Sequence, residues 1–239
     1  MNKLIVITGA SSGIGESIAQ HLSQAGHPLL LLARRIDRLK ALKLPNALCE
    51  KVDVTNRESF KQAIIKAETK FGNVDALINN AGVMLLGQID TQNPNEWQQM
   101  FDVNVIGLLN GMHAVLSGMK QRHNGTIINI SSVAGRKTFG NHAAYCGTKF
   151  AVHAISENVR EEVADCNVRV VTIAPGAVET ELLSHTTSKE IRDNYESWKS
   201  AIGGAISPED IARAVCYAYQ QPQNVCIREI VLAATGQQP

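Results

Sequence analysis

The sequence predicts an α/β fold, a doubly wound parallel sheet of about seven strands flanked by helices. Three observations predict it. Short continuous apolar runs, such as Leu29-Leu30-Leu31-Leu32-Ala33, alternate with segments of helical periodicity along the chain. The runs lack a polar alternation, as expected of strands covered on both faces. A glycine cluster separates the first run from the first helical segment, a place where such folds bind phosphate.

The elements follow in order. Lys3–Thr8 is a β-rich run ending at Gly9, the first strand. Ser11-Ser12-Gly13-Ile14-Gly15 opens a helix to about Ala25, which Gly26 stops. Pro28–Ala33 is the second strand, and a short helix covers Ile36–Leu42. Ala47–Val52 is the third strand. Asn56–Phe71 is an amphipathic helix with Phe60, Ala63, Ile64 and Ala67 on one side. Val74–Asn79 is the fourth strand, followed by a long helix from Pro94 to about Gln121, with proline suited to its first turn. Thr126–Ser131 is the fifth strand, a helix bearing Tyr145 runs to about Asp165, and Val168–Ala174 is the sixth strand. Residues 175–207 read as irregular or weakly helical. Pro208–Gln220 is a helix and Ile227–Leu232 a last strand. There is no internal repeat, low-complexity tract or linker, so 1–239 reads as a single domain.

Hydrophobic residues make up 44% and charged residues 19% of the chain, an ordinary globular balance. A net charge of +1 supplies no field for nucleic acid or an anionic membrane, so neither is expected as a partner. Cys49, Cys146, Cys166, Cys216 and Cys226 are scattered, without the spacing of a zinc site or a disulfide framework, and no metal is expected. The chain enters an apolar strand at once, with no signal-peptide cleavage pattern. The expectation is a cytoplasmic, reduced protein.

Two stretches carry the chemistry. Tyr145 and Lys149 are four apart, so a helix places them on one face, one turn apart. A tyrosine titrates near pH 10 and is a poor base at neutrality, but a neighbouring ammonium favours its phenolate. Such a tyrosine exchanges a proton with an alcohol or carbonyl oxygen. The second stretch is Thr8-Gly9-Ala10-Ser11-Ser12-Gly13-Ile14-Gly15, with a strand before it and a helix after it. Its glycines allow a tight turn and close approach of a pyrophosphate to free helix N–H groups. At the end of the second strand, Ala33 stands where an NAD-binding fold places an acid, and Arg34 and Arg35 follow. Guanidinium groups bind phosphate bidentately, so NADP(H) is expected over NAD(H).

Together these features resemble the short-chain dehydrogenase/reductase superfamily, with its Rossmann-like fold. The resemblance covers nearly the whole chain and rests on six ordered motifs. It makes Gly9, Ser11, Ser12, Gly13, Ile14 and Gly15 the cofactor loop, and Asp53-Val54 the adenine contact. Asn80-Ala81-Gly82, after Asn79, matches the strand-four motif. Pro175, Gly176, Val178 and Thr180 match the segment under the nicotinamide. Asn104, Ser132, Tyr145 and Lys149 match the catalytic tetrad, with Ser132 preferred to Ser131 because it stands thirteen residues before Tyr145. The implied mechanism is hydride transfer between NADP(H) and a small carbonyl or secondary alcohol. Tyr145 acts as acid or base, Ser132 steadies the substrate oxygen, Lys149 tunes Tyr145 and holds the nicotinamide ribose, and Asn104 holds a relay water.

Ala33–Leu39 and Ser207–Val215 are similar to an NADP-preferring branch that includes 3-hydroxy acid and serine dehydrogenases. The resemblance also implies a homo-oligomer, a tetramer or dimer. Residues 181–206 are expected to form a lid over the substrate. Arg136 is a candidate partner for a substrate carboxylate, the alternative being that it and Lys137 face solvent or a neighbouring subunit. His142 and His153 read as packing or capping residues, and Cys146 as a packed thiol. The competing class is a non-catalytic NADP-binding sensor or scaffold, which would keep the loop and arginines but has no need of the tetrad.

Overall fold

The computed structural model describes residues 3–238. Among them, seven strands form one sheet: β1 (Leu4–Thr8), β2 (Leu29–Ala33), β3 (Ala47–Lys51), β4 (Val74–Asn79), β5 (Gly125–Ile130), β6 (Val168–Pro175) and β7 (Glu229–Leu232). Every pairing is parallel, in the order β3-β2-β1-β4-β5-β6-β7. The chain winds outward from β1 to β3, then returns to build β4 on the other side of β1. That reversal opens a crevice at the carboxyl ends of β1 and β4.

The apolar runs are continuous because both faces are covered. Successive residues of a strand point to opposite sides. Leu4 and Val6 of β1 join Leu30, Leu32, Leu77 and Ile127 in a core beneath the helices α3 (Arg57–Phe71), α5 (Gly107–Gln121) and α6 (Ala143–Glu162). Ile5 and Ile7 join Leu29, Leu31, Ile78 and Ile128 in the opposite core. There they meet Ile18 and Leu22 of α1 (Gly13–Gln24), Leu39 of α2 (Ile36–Ala41), and Ile211 and Val215 of α8 (Pro208–Gln220).

The helix starts have local causes. The side chain of Asn56 accepts the Ser59 N–H at 2.9 Å and caps α3. A Ser207–Asp210 capping box precedes α8, with Pro208 at its first position.

Two segments differ from the sequence expectation. The long helix expected from Pro94 to Gln121 is α4 (Pro94–Phe101) and α5 joined by a π-helical turn, Asp102–Ile106. A π turn inserts an extra residue and rotates the side chains around it. Here it turns Asn104 and Val105 inward. The Pro94–Gln121 run is long and apolar enough to cross a membrane. Its side carrying Leu108, Met112, Val115 and Met119 is instead buried in the core.

The second lies in 175–207, read as irregular or weakly helical, where the helical alternative holds and is more regular than expected. A 3-10 turn, Glu181–His185, is capped by Thr180, and α7 (Lys189–Ala201) is capped by Ser188. Ile191, Tyr195 and Trp198 give α7 an apolar stripe at helical spacing. Charged residues surround that stripe, and no α7 residue is fully buried, so its periodicity is weak in the sequence.

Candidate active site

A cleft of about 540 Å³ opens at the crevice. Gly9 and Gly13, at the end of β1 and the start of α1, have φ of +65° and +55°, where a side chain is strained. The Thr8 hydroxyl accepts the Asn80 and Ala81 N–H groups, each at 3.0 Å, and the Asn80 amide donates to the Thr8 carbonyl at 3.0 Å. These bonds fasten the ends of β1 and β4 together. Ser12, the N-cap of α1, makes no cap hydrogen bond with its side chain, so the leading N–H groups of α1 remain open to an anion.

Of the residues expected to bind cofactor, all but Gly15 line this cleft. Gly15 lies beneath it. A Cβ there would fall on the Gly9 carbonyl oxygen and come within 2.5 Å of Asn80 Nδ2. Gly15→Ala is therefore expected to cost about 1–3 kcal/mol of stability and to weaken binding of a dinucleotide at the distorted loop. Denaturant unfolding and a binding titration check both effects.

Arg35 is already arranged over the loop. Its Nε donates to Ser11 Oγ at 3.3 Å, its Nη2 to Ser12 Oγ at 2.6 Å and its Nη1 to Glu181 Oε2 at 2.9 Å. Arg38 donates to Glu181 Oε1 at 2.8 Å. Arg38 and then Arg35 hold the Glu181 carboxyl down at about 2, far below the usual carboxylate range. Arg34 lines the same end of the cleft, as does His185. Burial, and then the charges of Arg34 and Arg35, push the His185 pKa down. Neither Arg38 nor Glu181 was singled out from sequence. Arg38 stands one helical turn after Arg35 and was legible, whereas Glu181 is 146 residues from Arg35 and was not.

At the other end, α6 carries Tyr145 and Lys149, both buried. Lys149 Nζ lies 5.7 Å from the centre of the Tyr145 ring and donates to the Ile130 carbonyl at 3.0 Å. Ser132 follows β5 in extended conformation, and its hydroxyl accepts the Ala134 N–H at 3.1 Å. Burial dominates the electrostatics. It raises the Tyr145 phenol well above its ordinary value, and hydrogen bonding by Ser132 opposes it. Burial also lowers Lys149 from 10.5 to about 8. Burial of both groups disfavours charge and outweighs any lowering of Tyr145 by Lys149.

Asn104 does not line the cleft. Its amide donates to the Val83 carbonyl at 2.9 Å and to Thr148 Oγ1 at 3.1 Å, and its Oδ1 accepts the Val83 N–H at 2.8 Å. A Cβ on Gly82 would sit 3.3 Å from that Oδ1 and 3.9 Å from Lys149 Nζ, so glycine keeps the space between them clear. Ser131 turns to α6, where its hydroxyl meets the Lys149 carbonyl at 3.2 Å and His153 Nδ1 at 2.9 Å. Glu229 of β7 joins His153 Nε2 at 3.0 Å and Arg136 at 2.6 Å. Arg136, the candidate carboxylate partner, is thus ion-paired to Glu229 and does not line the cleft. His153 is held by Ser131, the Lys149 carbonyl and Glu229 and does not line the cleft. His142 differs, because its ring borders the cleft beside Tyr145.

A family model described as short chain dehydrogenase matches residues 3–191. An uncharacterized oxidoreductase of Staphylococcus saprophyticus is 41% identical over 99% of this chain and 97% of its own length. Among solved structures, the closed form of a serine dehydrogenase complexed with NADP+ superposes with a TM-score of 0.91. It is 32% identical, over 99% of this chain and 96% of that one. An alcohol dehydrogenase from the archaeon Thermococcus sibiricus, complexed with 5-hydroxy-NADP, gives a TM-score of 0.87. It is 29% identical, over 100% of this chain and 99% of that one.

Proposed function

The chain belongs to the short-chain dehydrogenase family, and from that premise we propose that it is an NADP(H)-dependent oxidoreductase acting on a small carbonyl compound or secondary alcohol. The observation that carries this reading is the convergence of Ser132, Tyr145 and Lys149 on the cleft that also holds the glycine loop and Arg35. The loop fits a pyrophosphate, since Gly9 and Gly13 take the positive φ of a tight glycine turn and the α1 N-terminus is open. Ser11 and Ser12 would hold the phosphates with the α1 N–H groups, Arg34 and Arg35 the 2′-phosphate, and Asp53 and Val54 the adenine. Lys149 would hold the nicotinamide ribose.

When bound, the nicotinamide supplies or accepts the hydride. The protein's own groups manage the oxygen. The Ser132 hydroxyl donates to the substrate oxygen as negative charge develops on it. Tyr145 gives its proton to that oxygen in reduction and takes one from the alcohol in oxidation. The raised phenol pKa favours the protonated acid, which suits carbonyl reduction near neutrality. Asn104 holds the α5 side of the site to the Val83 backbone and to α6 through Thr148.

The segment 181–206 is the lid in this reading, with the 3-10 turn held to the cofactor arginines through Glu181. The likeness to the closed form of a serine dehydrogenase complexed with NADP+ supports a lid here. The exposed apolar side chains Phe101, Ile106, Leu109 and Phe150, on α4, the π turn, α5 and α6, suit burial against another copy in a dimer or tetramer. Five unpaired cysteines suit a reducing compartment such as the cytoplasm.

The test is NADPH oxidation, followed by absorbance, against aldehydes, ketones, α-dicarbonyls and 3-oxo acids. NADPH binding without turnover on the whole panel would point to a sensor or scaffold instead. The cofactor preference has its own expectation. Arg35→Ala should raise the KM for NADPH about 10- to 100-fold and leave the KM for NADH within about twofold, since only the 2′-phosphate loses its fork of donors. Equal losses with both cofactors would show that Arg35 serves the loop and not the phosphate.

A further inference from the structure

Beyond Tyr145, the cleft is walled by rings. The His142 ring lies 6.2 Å from Tyr145, 5.7 Å from Phe139 and 6.4 Å from Tyr195, and the Tyr195 ring lies 5.2 Å from Trp198. Met84, Leu86, Leu182, Leu183 and Ile191 fill the wall between them. Two of these rings, Tyr195 and Trp198, come from α7.

The cations lining this end of the cleft are engaged, and Lys137, which does not line it, stands 6.0 Å from the centre of the Phe139 ring. Lys149 serves the Ile130 carbonyl beside Tyr145. Lys199 lies 2.6 Å from Glu196 and 3.0 Å from Glu179, so two carboxylates face one ammonium and the group is net negative. Arg136 is bound to Glu229 outside the cleft. Arg34 and Arg35 stand at the phosphate end, after β2. Burial holds His142 below its ordinary pKa, and its Nδ1 is bonded to the Gly140 carbonyl at 2.5 Å. A neutral ring whose Nδ1 proton is spent there keeps only an acceptor at Nε2.

Resting on the oxidoreductase reading, we propose that the substrate is an uncharged ketone or secondary alcohol bearing an aromatic or bulky apolar group, with Tyr195 and Trp198 selecting it and carboxylate-bearing substrates excluded. An apolar group buried among these rings gains from its removed surface and from edge-to-face packing. A carboxylate there would lose its water and meet ring faces, a histidine acceptor and a net negative cluster. Asn141 and Asn194, which also border the cleft, offer neutral hydrogen bonds to a polar group such as an ester or hydroxyl. This separates the chain from the acidic substrates that its sequence branch implies.

The test uses alcohols that cannot react because the cofactor is already reduced. The protein loaded with NADPH is titrated calorimetrically with 4-phenyl-2-butanol and with 3-hydroxybutanoate. In parallel, NADPH oxidation is followed with 4-phenyl-2-butanone and with 3-oxobutanoate. The phenyl compounds should bind at least about tenfold tighter and, as ketones, show a kcat/KM at least about tenfold higher. Trp198→Arg should narrow both gaps by weakening the phenyl compound and favouring the acid. Equal or tighter binding of 3-hydroxybutanoate, or binding of neither alcohol, overturns the proposal. Selective binding of the phenyl alcohol without turnover of any ketone would sustain the pocket assignment and sink the catalytic reading instead.

Discussion

Tyr145→Phe is expected to lower kcat/KM for carbonyl reduction by about 10³-fold, near the middle of the range for general acid–base groups, while NADPH affinity changes less than about threefold. The change removes one oxygen atom from a ring whose packing stays as it was. The pH dependence follows from the direction of the Tyr145 shift. Its phenol is pushed up by burial, so it is protonated at neutral pH. Reduction needs the proton and should fall as pH rises. Oxidation of the alcohol needs the phenolate and should climb with pH through the alkaline range. Rate profiles in both directions check this, and parallel profiles would mean that Tyr145 is not the group exchanging the proton.

Lys149→Met is expected to do two opposed things. Activity should fall by about 10²-fold or more, because the ammonium beside Tyr145 is lost. Stability of the cofactor-free protein should rise. The fold lowers Lys149 from 10.5 to about 8, and a drop of that size corresponds to roughly 3 kcal/mol of charge burial borne by the native state. The unfolded chain holds the proton more tightly, so the cost is fully present below pH 8 and fades as pH rises from 8 towards 10.5. Loss of the bond to the Ile130 carbonyl offsets part of the gain. The net expectation is a Tm higher by several degrees at pH 7, with the advantage shrinking towards pH 10. A lower Tm for Lys149→Met at pH 7 would mean that the ammonium is better solvated than its burial implies.

These two residues also show what could be read from the chain. Tyr145 and Lys149 are local partners on one helix, so their spacing alone places them together. The strands were legible because both faces are buried, which leaves unbroken apolar runs between turns of glycine and proline. Segments 175–207 and 94–121 were less legible for different reasons. α7 has its apolar stripe diluted by charge, since it covers a cleft and not a core. The π turn at Asp102–Ile106 comes from an inserted residue, which no helical periodicity announces.

Contacts distant in sequence were beyond reach. Glu181 meets Arg35 and Arg38, and Glu229 meets Arg136, only once the sheet has formed. Arg136 illustrates the limit, because its spacing from Ser132 is local while its ion-pair partner on β7 is 93 residues away. The Tyr145 environment is a second case. Spacing places a positive neighbour beside it, but the burial that outweighs that neighbour is a property of the fold.

The most direct measurement is isotopic. NADPH carrying deuterium at the transferable C4 position would be incubated with the protein and 4-phenyl-2-butanone, and the alcohol product examined by mass spectrometry. Hydride transfer onto a carbonyl polarised by Ser132 and Tyr145 predicts one deuterium on the carbinol carbon and none when Tyr145→Phe is used over the same interval. NADPH that binds but delivers no deuterium to this ketone, or to any aldehyde or ketone of the wider panel, would contradict an oxidoreductase function for the cleft.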